Sequence, residues 1–201
     1  VALWILERGN SLANMSLIDS LVNAWFQSVT ARTAGFNTVD LTQFSPASNV
    51  VMTILMFIGG APGSTAGGVK VTTVAVFVLL IVSALHGRKN VVVCGRTIEL
   101  ETVFKASALV ALSMLVVATA IVLLLHTQHA LGPGNVIFEA VSAFGTVGLS
   151  LKATSGLNSV GRGLIILLMF LGRVGPLTLL VMVRPRRKSS LEYPSAKVMI
   201  G

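Results

Sequence analysis

The 201-residue chain is 54% hydrophobic and 11% charged, with a mean hydropathy of +0.86; a soluble core of this size cannot hide so much apolar surface, so its expected solvent is a bilayer. The formal charge of +8 (15 basic and 7 acidic side chains) does not point to nucleic acid, because the basic residues gather at the ends of apolar runs, as the positive-inside bias requires. Arg88, Lys89 and Arg96 form one cluster and Arg184, Arg186, Arg187 and Lys188 the other, while the lone Cys94 excludes a disulfide framework and a thiolate metal cage.

Val1 to Leu6 reads as the end of an apolar helix without an initiating Met, so the chain is expected to be a fragment lacking its N-terminal portion. After the polar turn Asn10 to Asn14, Leu17, Ile18, Leu21, Val22, Trp25, Phe26 and Val29 recur at helical spacing. About fifteen residues are too few to cross a membrane, which takes roughly 20. The segment is therefore predicted to be a half-membrane helix ending at Thr30, just before Arg32, Thr33, Ala34, Gly35 and Phe36. Extended backbone at membrane depth is tolerated only where it lines a cavity, so a pore or binding site is already implied.

Leu41 to Ser48 is predicted as a polar return loop and Val50 to Ile58 as the start of a span. Five glycines and Pro62 interrupt that span between Gly59 and Gly68, and Val71 to Leu85 resumes it. After the basic loop, Phe104 to Leu125 reads as a plain span and His126 to Gly134 as an outer turn. Val136 to Phe144 is a second short helix, and Val160 to Val183 a last span.

The second short helix feeds Ser142 to Ser150, which contains Thr146, Val147 and Gly148, close to the carbonyl-lined loop that dehydrates potassium in channel filters. Thr33 lies 113 positions earlier (146 − 33), and the Leu55 to Gly59 block recurs as Leu168 to Gly172 at the same offset (172 − 59). One such loop alone reads better as a tight turn built on glycine. Duplication, with a short helix before and a span after each copy, favours a filter. One glycine per triplet, where strict potassium channels have two, suggests moderate selectivity.

Because both basic clusters close the last helix of a repeat, those ends and the C-terminus are placed on the cytoplasmic side, and the filter loops open outward. Each short helix then aims its partially negative C-terminus at the membrane centre, which suits a cation.

Lys70 lies sixteen residues before His86, about 24 Å along a helix, and Arg173 eleven before Arg184, about 16 Å. Neither is expected to snorkel comfortably out of a core roughly 30 Å thick. Intramembrane cations usually face a cavity or protein partners. Arg173 is expected to pin the Gly59 to Lys70 segment across the path below the filter; the plainer alternative is pairing with carbonyls freed by the broken helix.

Gly63 and Gly68 have the spacing of a nucleotide-binding loop, but Val69 stands where its lysine belongs. Arg32 and Glu139 suggest either a filter-supporting ion pair or contact with vestibule water, and Asp40 is assigned to the outer loop. His126 and His129 lack the companions of a metal site. No nucleophile and base are paired in the sequence, and no carboxylates in a predicted span, so the chain is not expected to be an enzyme.

The segments Thr30 to Thr38, Gly63 to Lys70, Phe138 to Ser150 and Gly172 to Pro176 together resemble the Trk/Ktr/HKT superfamily of potassium transporters, most closely its bacterial KtrB branch. The tail from Glu192 to Gly201 also looks like the ending of that branch. The resemblance covers nearly the whole chain. It implies an all-α, potassium-channel-like membrane fold of four repeats, each a helix, a re-entrant pore helix with filter loop, and a second helix, around one pore. Residues 1–90 would be the third repeat without most of its first helix, and 91–201 the fourth with a cytoplasmic tail.

The same resemblance implies filter positions Thr33, Ala34, Gly35, Phe36, Thr146, Val147, Gly148 and Leu149. It implies gate positions Gly59, Gly60, Gly63, Ser64, Thr65, Gly67, Gly68, Lys70 and Arg173. Further implications are a plasma-membrane homodimer on a cytosolic, nucleotide-binding KtrA-like ring, potassium as the permeant ion, sodium as an activator, and no other metal or cofactor. The competing expectations are a TrkH-like or less selective sodium/potassium pathway and a non-conducting scaffold subunit.

Overall fold

The computed structural model describes residues 1–88, 90–93 and 95–175. Lys89, Cys94, Pro176, the second basic cluster, the end of the last predicted span and the tail from Glu192 lie outside the described residues. The elements are α1 (Ala2–Glu7), α2 (Leu17–Thr30), α3 (Pro46–Phe57), α4 (Val71–Leu85), β1 (Val92–Val93), β2 (Arg96–Thr97), α5 (Leu100–Thr127), α6 (Pro133–Gly145) and α7 (Ser159–Val174). Short 3-10 turns occupy Leu41–Gln43 and Thr154–Gly156. The architecture is all-helical apart from one small antiparallel hairpin in the basic loop, with Val92 opposite Thr97 and Val93 opposite Arg96.

Local chemistry sets the helix ends. The Ser16 hydroxyl accepts the Asp19 amide at 3.2 Å and starts α2. The helix α3 begins four residues ahead of its expected start at Val50, because Ser45 caps the Ser48 amide and Pro46 supplies a helical φ at the first position. Likewise the Asn158 side chain accepts the Gly161 amide at 2.8 Å and starts α7. The 28 residues of α5 make it about 42 Å long, more than the roughly 30 Å of a hydrocarbon core.

The duplication visible in two sequence landmarks extends through the coordinates. The 3-10 turns at Leu41 and Thr154, the caps Ser45 and Asn158, and the first residues of α3 and α7 all keep the 113-residue offset (154 − 41, 158 − 45, 159 − 46). The copies part company at their ends. Phe57 closes α3, whereas its counterpart Phe170 lies inside α7. Ile58 leaves the helix to form a parallel bridge with Val69, and the chain between them is thrown out as a loop.

Helix α6 is the centre of the packing: Phe138 to Gly145 are all buried, against α3, α5 and α7. In lipid, helices associate through close contact rather than hydrophobic exclusion, and small residues permit it. Two glycines do so here. A Cβ on Gly145 would lie 2.5 Å from the Met56 carbonyl oxygen, and one on Gly172 would collide with the Phe144 carbonyl. The Phe57 and Phe144 rings stack beside these contacts, 5.9 Å between centroids. By contrast, α2 leaves Ile18, Leu21, Val22, Trp25 and Val29 exposed, and α5 exposes Phe104, Met114, Leu115 and Val122.

Candidate ion filter and intramembrane loop

Each short helix ends in a segment whose backbone handedness alternates. Thr33 (φ 74°) and Gly35 (φ 76°) are left-handed, as are Thr146 (φ 54°) and Gly148 (φ 91°); Ala34 and Val147 between them are not. Alternation of this kind turns successive peptide groups so that N–H groups line one side of the strand and carbonyls the other, which an ion-dehydrating wall requires. A threonine at positive φ is unfavourable by itself, yet the strain recurs at equivalent places in both copies. Along the second strand, Val147 and Leu149 are buried while Gly148 is open, so one edge is fixed in the protein and the other is free.

The two strands meet. A Cβ on Gly35 would collide with the Val147 carbonyl oxygen and lie 3.7 Å from the Gly148 Cα. Segments 113 residues apart are thus brought to backbone contact.

Different braces hold the two loops. In the first, the Thr30 hydroxyl accepts the Phe36 amide at 2.9 Å and donates to the Phe36 carbonyl at 2.6 Å. In the second, where Ala143 replaces Thr30, the Val147 amide bonds the Ser142 carbonyl at 2.9 Å. Here also the buried Glu139 accepts hydrogen bonds from the hydroxyls of Ser150, at 2.7 Å, and Thr154. Glu139 is therefore engaged by hydroxyls. The ion pair with Arg32 that the sequence suggested does not occur among the described residues, and Arg32 is exposed. Asp40 pairs with Lys152 at 3.2 Å and ties the two outer loops together. Hydrogen bonds from the Thr42 hydroxyl and amide, with Lys152 alongside, hold its carboxyl below the usual aspartate range.

The predicted gate positions from Gly59 to Lys70 form one closed loop, while Arg173 stands apart on α7. At its base the Gly59 amide bonds the Val69 carbonyl at 2.8 Å, the Val69 amide the Phe57 carbonyl and the Val71 amide the Gly60 carbonyl, both at 3.2 Å. Glycine is required at the neck, since a Cβ on Gly59 would collide with the Gly67 carbonyl. Gly63 (φ 81°) and Ser64, whose hydroxyl donates to the Ala61 carbonyl at 2.6 Å, turn the exposed tip. Lys70 folds back and donates to the Ala66 carbonyl and, at 3.5 Å, to that of Ser64. That is the carbonyl pairing the sequence left open as the plainer alternative for an intramembrane cation.

The loop hangs from Thr146, in the candidate filter strand, and from α7. The Gly67 amide donates to the Thr146 hydroxyl oxygen at 3.1 Å, the Gly68 amide bonds the Gly172 carbonyl at 3.2 Å, and Arg173 donates to the Thr65 carbonyl. Gly172 lies thirteen residues into α7, about 20 Å from its N-terminal start. Thr146 begins the candidate filter strand, so the loop lies at that strand's N-terminal end. Sequence reasoning missed Thr30, the partners of Glu139 and the bond between Gly67 and Thr146. Only the last had a readable signal, a glycine run that lets backbone approach backbone.

Residues 1–192 match the TrkH family model, described as a cation transport protein. The chain is 40% identical over its whole length to the Ktr system potassium uptake protein B of Vibrio alginolyticus, covering 44% of that protein. It is 38% identical over 98% of its length to the potassium/sodium uptake protein NtpJ of Enterococcus hirae, covering 45% of it. The crystal structure of the potassium transporter TrkH from Vibrio parahaemolyticus superposes with a TM-score of 0.76 at 24% identity, over 92% of this chain and 41% of that one. The chain thus spans less than half the length of these relatives.

Proposed function

Because the chain belongs to the TrkH family of cation transport proteins, we propose that it supplies two of the walls of a potassium uptake pathway in the plasma membrane. The observation that carries this reading is the backbone contact, at Gly35 and Val147, between two duplicated segments of alternating backbone handedness. Residues 1–90 act as the third repeat and 91–201 as the fourth, and the remaining walls come from the other part of a longer protein. Carbonyls of Thr33 to Phe36 and Thr146 to Leu149 replace the hydration shell of potassium. The C-terminal ends of α2 and α6 add partial negative charge nearby. Potassium then moves down its electrochemical gradient.

Control lies at the inner end of the strand. The Gly59 to Lys70 loop crosses the path, held by Thr146, Gly172 and Arg173; its release from Arg173 opens the way. The C-terminus faces the cytoplasm. The protein works as a homodimer with a cytosolic, nucleotide-binding regulatory ring, and sodium promotes uptake. This part of the reading is supported by the family resemblance and by a relative named as component B of a system.

One observation favours a second reading, a sodium/potassium pathway: each filter triplet has a single glycine, and one similar protein is named for both ions. Potassium uptake by the full-length parent in uptake-deficient cells tests both. The proposed function predicts rescue of growth at low potassium. Equal sodium and potassium rates would select the second reading, and no rescue by a well-expressed protein would point to a scaffold.

A further inference from the structure

Two carboxylates among the described residues are buried, Glu7 and Glu139. Glu7 accepts the Ser45 amide at 2.9 Å and the Ser11 hydroxyl at 2.9 Å, and so fastens the end of α1 to the start of α3. Glu139 does something different. It projects from the middle of α6, is 7% exposed, and spends both oxygens on the chain that leaves the filter. One oxygen accepts the Ser150 hydroxyl at 2.7 Å and the other accepts the Thr154 hydroxyl. The Thr154 and Ser150 hydroxyl oxygens also lie 3.1 Å apart, so the three side chains sit in a ring of contacts in which the single proton of each hydroxyl goes to the carboxylate.

The ring belongs to one copy only. The counterparts of Glu139, Ser150 and Thr154 at the 113-residue offset are Phe26, Asn37 and Leu41, which cannot reproduce it. Ser150 directly follows the filter strand, and Val147 and Leu149 bury the strand's back edge. A shift of Ser150, held by Glu139, therefore passes into the carbonyls of Gly148 and Leu149, to which no side chain donates among the described residues. A carboxylate suits this post because both oxygens accept and neither needs an acceptor in return.

We propose that Glu139 is a positioning residue for ion selection: through Ser150 and Thr154 it fixes the outer end of the second filter strand, and thereby sets potassium affinity and discrimination against sodium. The inference rests on the reading of residues 146–149 as a filter wall. Glu139→Gln keeps the side-chain shape and one acceptor, Glu139→Asp is too short to reach both hydroxyls, and Glu139→Ala removes the ring.

In the full-length parent, potassium KM and the potassium-to-sodium uptake ratio are measured per molecule in the membrane. KM rises and the ratio falls in the order Gln, Asp, Ala, by about tenfold for Ala, the scale of one lost hydrogen bond to a charged acceptor. Ser150→Ala and Thr154→Val, which each remove one bond, move both quantities the same way by less and serve if Glu139→Ala does not accumulate. A purely structural role lowers abundance but leaves KM and the ratio of the surviving molecules unchanged, and that result overturns the proposal. Failure of the wild-type parent to carry potassium would instead overturn the reading of the strand as a filter.

Discussion

Arg173 and Thr146 are the two side chains through which the proposed gate loop is held, and each carries a test of that proposal. Arg173 donates to a loop carbonyl; a hydrogen bond from a charged group contributes about 1.5–3 kcal/mol when buried, less for a residue exposed as Arg173 is. Arg173→Ala is therefore expected to raise potassium uptake by the full-length parent several-fold. Unchanged flux in a normally folded protein would remove Arg173 from the gate. Thr146→Val deletes the acceptor of the Gly67 amide at 3.1 Å and leaves that N–H without a partner. The expected result is likewise faster uptake, together with looser selectivity because Thr146 also begins the filter strand; wild-type behaviour in both respects would show that the bond couples nothing. Arg173 and Lys70 could be singled out in the sequence because cations are costly at membrane depth. Glu139 could be found but not understood, since its hydroxyl partners lie eleven and fifteen residues on and no periodicity links them.

At the scale of elements, the helices were legible because their apolar faces recur at 3.6-residue spacing, and the break between α3 and α4 because glycine and proline interrupt the apolar run. Boundaries were less so: the start of α3 depends on the Ser45 cap and Pro46, which look like loop residues until their hydrogen bonds are seen. The hairpin in the basic loop is only two residues per strand, too short for an alternating pattern to register. The contact of α6 with α7 invites a direct test. Gly172→Ala drives a methyl group into the Phe144 carbonyl and is expected to destabilise the parent by roughly 1–3 kcal/mol, read as a lower thermal unfolding temperature; no change would mean that the helices separate at no cost. The outer loops offer a pH test. The folded-state pKa of Asp40 is depressed below the ordinary 3.8, so its contribution to stability is present above 3.8 and is lost as pH falls through the lower folded value. The Tm difference between wild type and Asp40→Asn should be constant near neutrality and vanish in acid; a difference that persists in acid would show that the carboxylate's charge is irrelevant.

For the whole molecule, the 113-residue repeat explains why one copy is enclosed and the other is not. Helix α6 packs against three helices, including α3 of the other copy, whereas α2 presents Trp25 at 68% exposure and Ile18 at 72%. The chain covers 44% of the uptake protein it matches at 40% identity, and in the proposed pathway its two strands supply two of the walls. Composition made the bilayer legible and the two landmarks made the repeat legible. The meeting of the strands was not legible, because it is a contact between backbones, with the absent side chain of Gly35 as its only trace. The central claim is that these strands select the ion. Its most direct test is the potassium-to-sodium uptake ratio of the full-length parent before and after Gly148→Ser, at a position whose positive φ disfavours any side chain while the space around it is open. The account predicts a clear fall in the ratio at normal protein abundance; an unaltered ratio would contradict it.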